Sequence, residues 1–103
     1  AGSQVLAYGL RGSAFLSVDE GRNWRRIDTG TDANIVGAGM QASGLWLATQ
    51  KGEILAGELS ATKLGVAASA PGADLYGAVA IDAGRIAAAR LNGVSTIAVR
   101  LPQ

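Results

Sequence analysis

The sequence contains no cysteine and no histidine. The first absence excludes disulfides and thiolate nucleophiles. The second removes every histidine-based acid–base or triad mechanism, and the two together remove zinc sites of the usual ligand types. Carboxylate chemistry is the main catalytic route left. There are five aromatic residues and two prolines, and much of the apolar content is alanine, so deep side-chain packing is limited and burial against a partner would help. No apolar run approaches the roughly 20 residues of a membrane helix, and no segment has the charged start, apolar middle and cleavage site of an export signal. Charge of one sign is also lacking. Nine Lys and Arg against eight Asp and Glu leave a net charge of +1, too little for an electrostatic footprint on nucleic acid or on anionic lipid. The chain opens on Ala1 in place of a methionine, which suits a processed or truncated product.

What is present is the balance of a soluble globular chain of one domain at most: 103 residues, 49% hydrophobic and 17% charged. Fifteen glycines punctuate short apolar runs, the pattern of many short strands joined by hairpins. The glycines repeat. Gly12 maps to Gly52 at an offset of 40 and Gly52 to Gly93 at 41, and each follows Arg11, Lys51 or Asn92 between two apolar runs, as equivalent hairpin turns would. At offset 40, Gly37, Ala38, Gly44 and Ala48 recur as Gly77, Ala78, Gly84 and Ala88, and Ile35 meets Leu75. A period of about 40 to 45 residues built from four strands is that of a propeller blade.

The predicted fold is therefore all-β: a partial β-propeller of about 2.5 four-stranded antiparallel blades, spanning residues 1–103 as units 1–30, 31–71 and 72–103. The first unit supplies strands near Val5 to Leu10, Ala14 to Val18 and Trp24 to Asp28. The second supplies Asn34 to Met40, Leu45 to Gln50, Glu53 to Glu58 and Lys63 to Ala68. The third supplies Asp74 to Ile81, Arg85 to Leu91 and Val94 to Arg100. A helix over the alanine-rich stretch Ala78 to Leu91 is the competing reading. Gly84 in its middle, and its alignment with the β-branched and aromatic residues of Ile35 to Leu47, favour strands. Imperfect alternation within the strands suits sheets stacked between sheets.

Between the second and third strands of the first unit lies SVDEGRNW, Ser17 to Trp24. It matches the Asp-box pattern of Ser or Thr, any residue, Asp, any, Gly, two further positions and Trp. The chemistry is that of a hairpin lock: Asp19 accepts bonds from turn amides, Gly21 takes a positive φ, Trp24 tucks its ring under the loop, and Ser17 adds a hydroxyl bond. At offset 40 the second unit has Gly57, Leu59, Ala61 and Leu64, so only the apolar anchor recurs.

The stretch from Leu6 to Gly57 resembles the Asp-box (bacterial neuraminidase) repeat propellers of the photosystem II stability/assembly factor-like family. That resemblance implies a propeller of seven or so blades, exported to the periplasm or thylakoid lumen, acting as a non-enzymatic scaffold that binds a protein partner. It makes this chain a C-terminal portion of such a protein.

Arg11, at a hairpin turn, and the pair Arg25 and Arg26, on an outer strand, are the candidate partner-binding residues, because planar guanidinium groups suit protein carboxylates. Solvated strand-edge charges are the plainer account of them. A sialidase-like or glycan-binding propeller is the alternative, since Asp boxes also mark sialidases. Yet Tyr8 and Tyr76 have no acidic partner for a Tyr-Glu nucleophile, and Asp19 and Glu20 point apart on a strand. Trp46 and Tyr76 are candidate stacking platforms for a sugar, with core packing as the other fate of both. No catalytic residue, metal or cofactor is expected. Terminal sheets with uncovered apolar faces lead to an expectation of self-association, or of cover by the remainder of a longer propeller.

Overall fold

A computed structural model describes residues 3–41, 44–60, 63–69, 75–82, 84–91 and 93–100. Among these the chain is all-β, a curled seven-stranded mixed sheet in the form of a half-barrel beside a three-stranded sheet. The strands are β1 (Val5–Tyr8), β2 (Ala14–Ser17), β3 (Arg25–Arg26), β4 (Ile35–Gln41), β5 (Gly44–Thr49), β6 (Glu53–Glu58), β7 (Gly65–Ser69), β8 (Gly77–Asp82), β9 (Arg85–Arg90) and β10 (Gly93–Ala98). Each falls within or close to a strand expected from the glycine spacing, and the alanine-rich stretch is strand. Two are clipped. β3 has two residues, because Trp24 belongs to the preceding turn and Asp28 leaves the ladder for an isolated parallel bridge to Lys63. The start of the third unit at Asp74 lies outside the described residues.

The three turns marked by Gly12, Gly52 and Gly93 all place the glycine at positive φ (74°, 92° and 132°), a conformation that side chains resist. At Gly12 the demand is also steric: a Cβ there would lie 1.9 Å from the Thr31 carbonyl oxygen.

Within each unit the strands form antiparallel meanders, β1-β2-β3, β4-β5-β6-β7 and β8-β9-β10. The second and third meanders are not separate sheets. They join through one parallel pair, Gly37 with Ala78. The cause is the lack of side chain at the junction, where a Cβ on Gly37 would lie 2.7 Å from the Ala78 carbonyl oxygen and 2.9 Å from the Ala78 Cβ.

The ladders also correct the repeat. Gly37 and Ala38 correspond to Gly77 and Ala78, as the sequence offset suggests. But Gly37 pairs with Ala48 whereas Gly77 pairs with Ala89, so Ala48 corresponds to Ala89 and not to Ala88, and Gly44 corresponds to Arg85 and not to Gly84. A register shift between Ala80 and Asp82 inserts the extra residue. The next turn removes it, since five residues separate Ala48 from its partner Ile54 but four separate Ala89 from its partner Val94.

Two apolar layers hold the meanders together. Ala14, Leu16 and Ile27 of the first unit pack against Ile35, Leu45, Leu47, Leu55 and Leu64 of the second. Trp46, Ala48 and Ile54, on the opposite face of the second unit, pack against Leu75, Ile86, Ala88 and Ile97 of the third. Every residue of β5 is buried, because alternate side chains enter different layers. This explains its unbroken apolar run, LWLA.

Candidate functional site

The Asp-box loop is closed by its own hydrogen bonds. Ser17, buried at the end of β2, donates its hydroxyl to Asp19 Oδ1 at 2.8 Å and accepts the Gly21 amide at 2.8 Å. Asp19 Oδ1 also accepts the Asn23 amide at 2.9 Å, and Oδ2 accepts Asn23 Nδ2 at 2.8 Å. Trp24 Nε1 donates to the Gly21 carbonyl at 3.0 Å, which lays the indole along the turn while leaving it 45% exposed. The turn places Glu20 (φ 64°) and Gly21 (φ 88°) both in the left-handed region.

These donors set the chemistry of the carboxyl group. The side-chain amide of Asn23, its backbone N–H and the Ser17 hydroxyl lower the pKa of Asp19 from an ordinary 3.8 to about 2. Near neutral pH it is an anion with both oxygens engaged by its own loop. The four residues expected in the lock are all in it, and Asn23, a position the pattern leaves open, is the fifth. Its spacing of four from Asp19 was the available signal.

The three arginines do not form one patch. Neighbours on a strand face opposite ways. Arg25, paired with Leu16 in the ladder, is half-buried on the side facing the second unit and donates to the Leu59 carbonyl oxygen. Arg26, paired with Phe15, lies on the outer side with its guanidinium 5.5 Å from the Phe15 ring centroid, a cation–π distance. Arg11 sits in a 3-10 turn (Leu10–Gly12) at φ 57°, its amide donating to Asn34 Oδ1 at 3.0 Å.

Arg11 and Arg26 nevertheless line one open cleft of about 610 Å³, and Lys63 lines it with them. Asp28 is the acidic group of the lining, and its Oδ1 accepts the Gly30 amide at 3.0 Å. Residues 27–31 line it as one stretch, tied to the 3-10 turn by Thr29, whose hydroxyl donates to the Gly12 carbonyl at 2.9 Å. Among the described residues none of the three cations makes a salt bridge. A second hollow of about 700 Å³ shares Gly30 and Thr31 with the cleft and carries the Lys51–Asp32 ion pair (3.5 Å) and Glu53. Lys63 was not foreseen. It reaches the cleft through the bridge between Asp28 and Lys63, a contact between distant segments that no local pattern announces.

The two aromatic candidates separate. Trp46 is 2% exposed in the layer between the second and third units, its indole lying on Gly39, so it is no sugar platform. Tyr76 is 55% exposed. Among the described residues no group of three or more acidic side chains is placed to hold a metal ion, and no helix is long and apolar enough to cross a membrane. Comparison with known proteins finds no matching family model, no matching curated protein and no matching solved structure.

Proposed function

We propose that this chain is a section of an Asp-box-type β-propeller that acts as a non-catalytic scaffold, with the cleft of Arg11, Arg26 and Lys63 receiving a carboxylate-bearing segment of an exported protein partner. The single observation that carries the binding part is that three cations from separate segments line one open cleft, with Asp28 as the one acid among its described lining residues. Guanidinium groups such as those of Arg11 and Arg26 suit planar, bidentate recognition of carboxylates.

The propeller part is supported by the stacking of successive meanders. The front of the first unit meets the back of the second, and the front of the second meets the back of the third, with equivalent ladder positions on equivalent faces. The non-catalytic part is supported by the state of Asp19, whose hydrogen bonds keep it an anion engaged by its own loop and so a poor proton donor.

Fluorescence polarisation with a labelled Glu-rich peptide, against a Gln-rich peptide of equal length, tests the cleft. The expected result is binding of the acidic peptide alone, weakened by added salt and by roughly tenfold or more in an Arg11→Glu, Arg26→Glu variant. Equal binding of both peptides, or an unchanged affinity in that variant, overturns the proposal.

A further inference from the structure

The exposed face of the third meander is no ordinary solvent face. Ladder positions define it: Ala87, Ala89, Val94 and Thr96 correspond to Trp46, Ala48, Ile54 and Ala56 of the second meander. In the second meander that front is covered by the back of the third. In the third it is open, with Val79 at 64% and Val94 at 75% exposure. The centre of the open front is a shallow apolar hollow of about 310 Å³, lined by Gly77, Val79, Ala87, Ala89 and Val94 among others. Among the described residues no charged side chain lines it.

The first meander has the opposite vacancy. Its back, Val5, Ala7 and Phe15, corresponds to Leu45, Leu47 and Leu55 of the second, which the first meander's own front covers. Val5 is 40% exposed and Ala7 is exposed. Side-chain bulk along the repeat is matched across these two ends. Where the second meander's front presents Trp46 and Ile54, the third presents Ala87 and Val94. Where the second meander's back presents Leu55, the first presents Phe15, and the third only Ser95. A front hollowed by small residues and a back on which Phe15 stands beside the smaller Val5 and Ala7 are complementary in shape.

We infer that the occupant of the open front is a second copy of this chain, docked head to tail, with the Val5–Ala7–Phe15 face of one copy on the Ala87–Ala89–Val94 face of the next. The contact repeats the front-to-back packing used twice within the chain. Being heterologous, it uses different surfaces on the two copies and leaves a front and a back free for further addition or for ring closure. The inference rests on ladder register and burial; Arg26, whose guanidinium lies over Phe15, borders both this back and the cleft, so the variants that test it alter neither Arg26 nor any other cleft residue.

Sedimentation velocity from low to high micromolar concentration tests it, using Val94→Glu to block the front and Ala7→Glu to block the back. Both positions are exposed, so circular dichroism should show both variants folded. The unaltered chain is expected to assemble, each variant alone to be monomeric, and an equimolar mixture of the two to yield a one-to-one dimer and nothing larger. In that mixture one open front and one open back remain. A chain that stays monomeric at every concentration overturns the inference, and so does assembly abolished by Val94→Glu but retained by Ala7→Glu, which would mean front-to-front pairing. A monomer is also the outcome if the natural cover is a different protein or another β-repeat segment.

Discussion

The hairpin after β2 and the hairpin after β6 occupy the same place in successive units and are closed by different physics. The first is closed at the surface by polar groups: Ser17 and Asn23 both hydrogen-bond Asp19, and the half-exposed Trp24 lies on Gly21. The second has Gly57 in place of Ser17 and Leu64 in place of Trp24. Leu64 is buried and packs so closely that a Cβ on Gly57 would lie 2.7 Å from Leu64 Cδ2. The surroundings account for the exchange. The second hairpin lies against the first unit, where Arg25 holds the Leu59 carbonyl and Leu64 joins the apolar layer between the units. A hairpin facing water needs a directional lock, whereas one facing a neighbouring sheet is held by burial.

The largest test of that contrast is Leu64→Ala. Truncating a buried leucine between two sheets should cost about 2–5 kcal/mol. Trp24→Ala removes a bigger side chain but one partly in water, together with one hydrogen bond, and should cost roughly 1–2 kcal/mol. Urea midpoints measure both, with Val94→Glu as the common background so that association does not contribute. If the tryptophan variant is the more damaged, the second hairpin is not held by burial. Ser17→Ala comes next. It takes the hydroxyl partner from the half-buried Gly21 amide and Asp19 Oδ1 and should cost about 1 kcal/mol, whereas Gly57→Ser should be destabilising too, because its side chain meets Leu64.

How much of this was legible beforehand follows from the range of each interaction. The strands and their turns were legible because a glycine at positive φ is a local demand, made three times at nearly equal spacing. The lock was legible because Ser17 to Trp24 is contiguous. The extra residue near Ile81 was not, since Ala80 and Ile81 are both apolar and a bulge changes the ladder without changing composition. Nor was the junction of β4 with β8, which depends on Gly37 meeting Ala78 across a separation that no periodicity encodes. The arginines show the same limit: Arg25 and Arg26 read as a pair in one dimension and part on a strand, while Arg26, Arg11 and Lys63 come to line one cleft only in the fold. The expectation of uncovered apolar faces comes from the unclosed array of strands. Only the ladders specify which faces they are.

Acid sharpens the contrast with a smaller effect. Asp19 titrates near 2 in the folded chain against an ordinary 3.8, so the unfolded chain takes up the proton first as pH falls. The stabilisation from the lock is complete above about 4 and is lost progressively toward 2. The second hairpin, with Leu59 at the corresponding position, has no such dependence. Asp82, lowered chiefly by its hydrogen bond to Arg85, adds a dependence of the same sign. It is present in both chains when the protein is compared with Asp19→Asn, so the difference in their stability–pH slopes between about 4 and 2 reports Asp19 alone. Parallel slopes would remove the carboxylate from the lock.

The smallest effect is a gain. Glu20 holds φ 64° in the first hairpin, a region that costs an ordinary L-residue about 1–2 kcal/mol and that asparagine enters more readily. Its side chain is exposed, and its amide donates to the Ser3 carbonyl at 2.8 Å, a backbone bond that any residue but proline preserves. Glu20→Asn should therefore raise stability by a few tenths to about 1 kcal/mol, while Glu20→Val, β-branched and poorly suited to positive φ, should lower it. The order Asn, Glu, Val in urea midpoints is what a strained but locked turn requires. Equal midpoints for all three would mean that the turn relaxes freely, and then the hydrogen bonds to Asp19 would not be what holds this hairpin in shape.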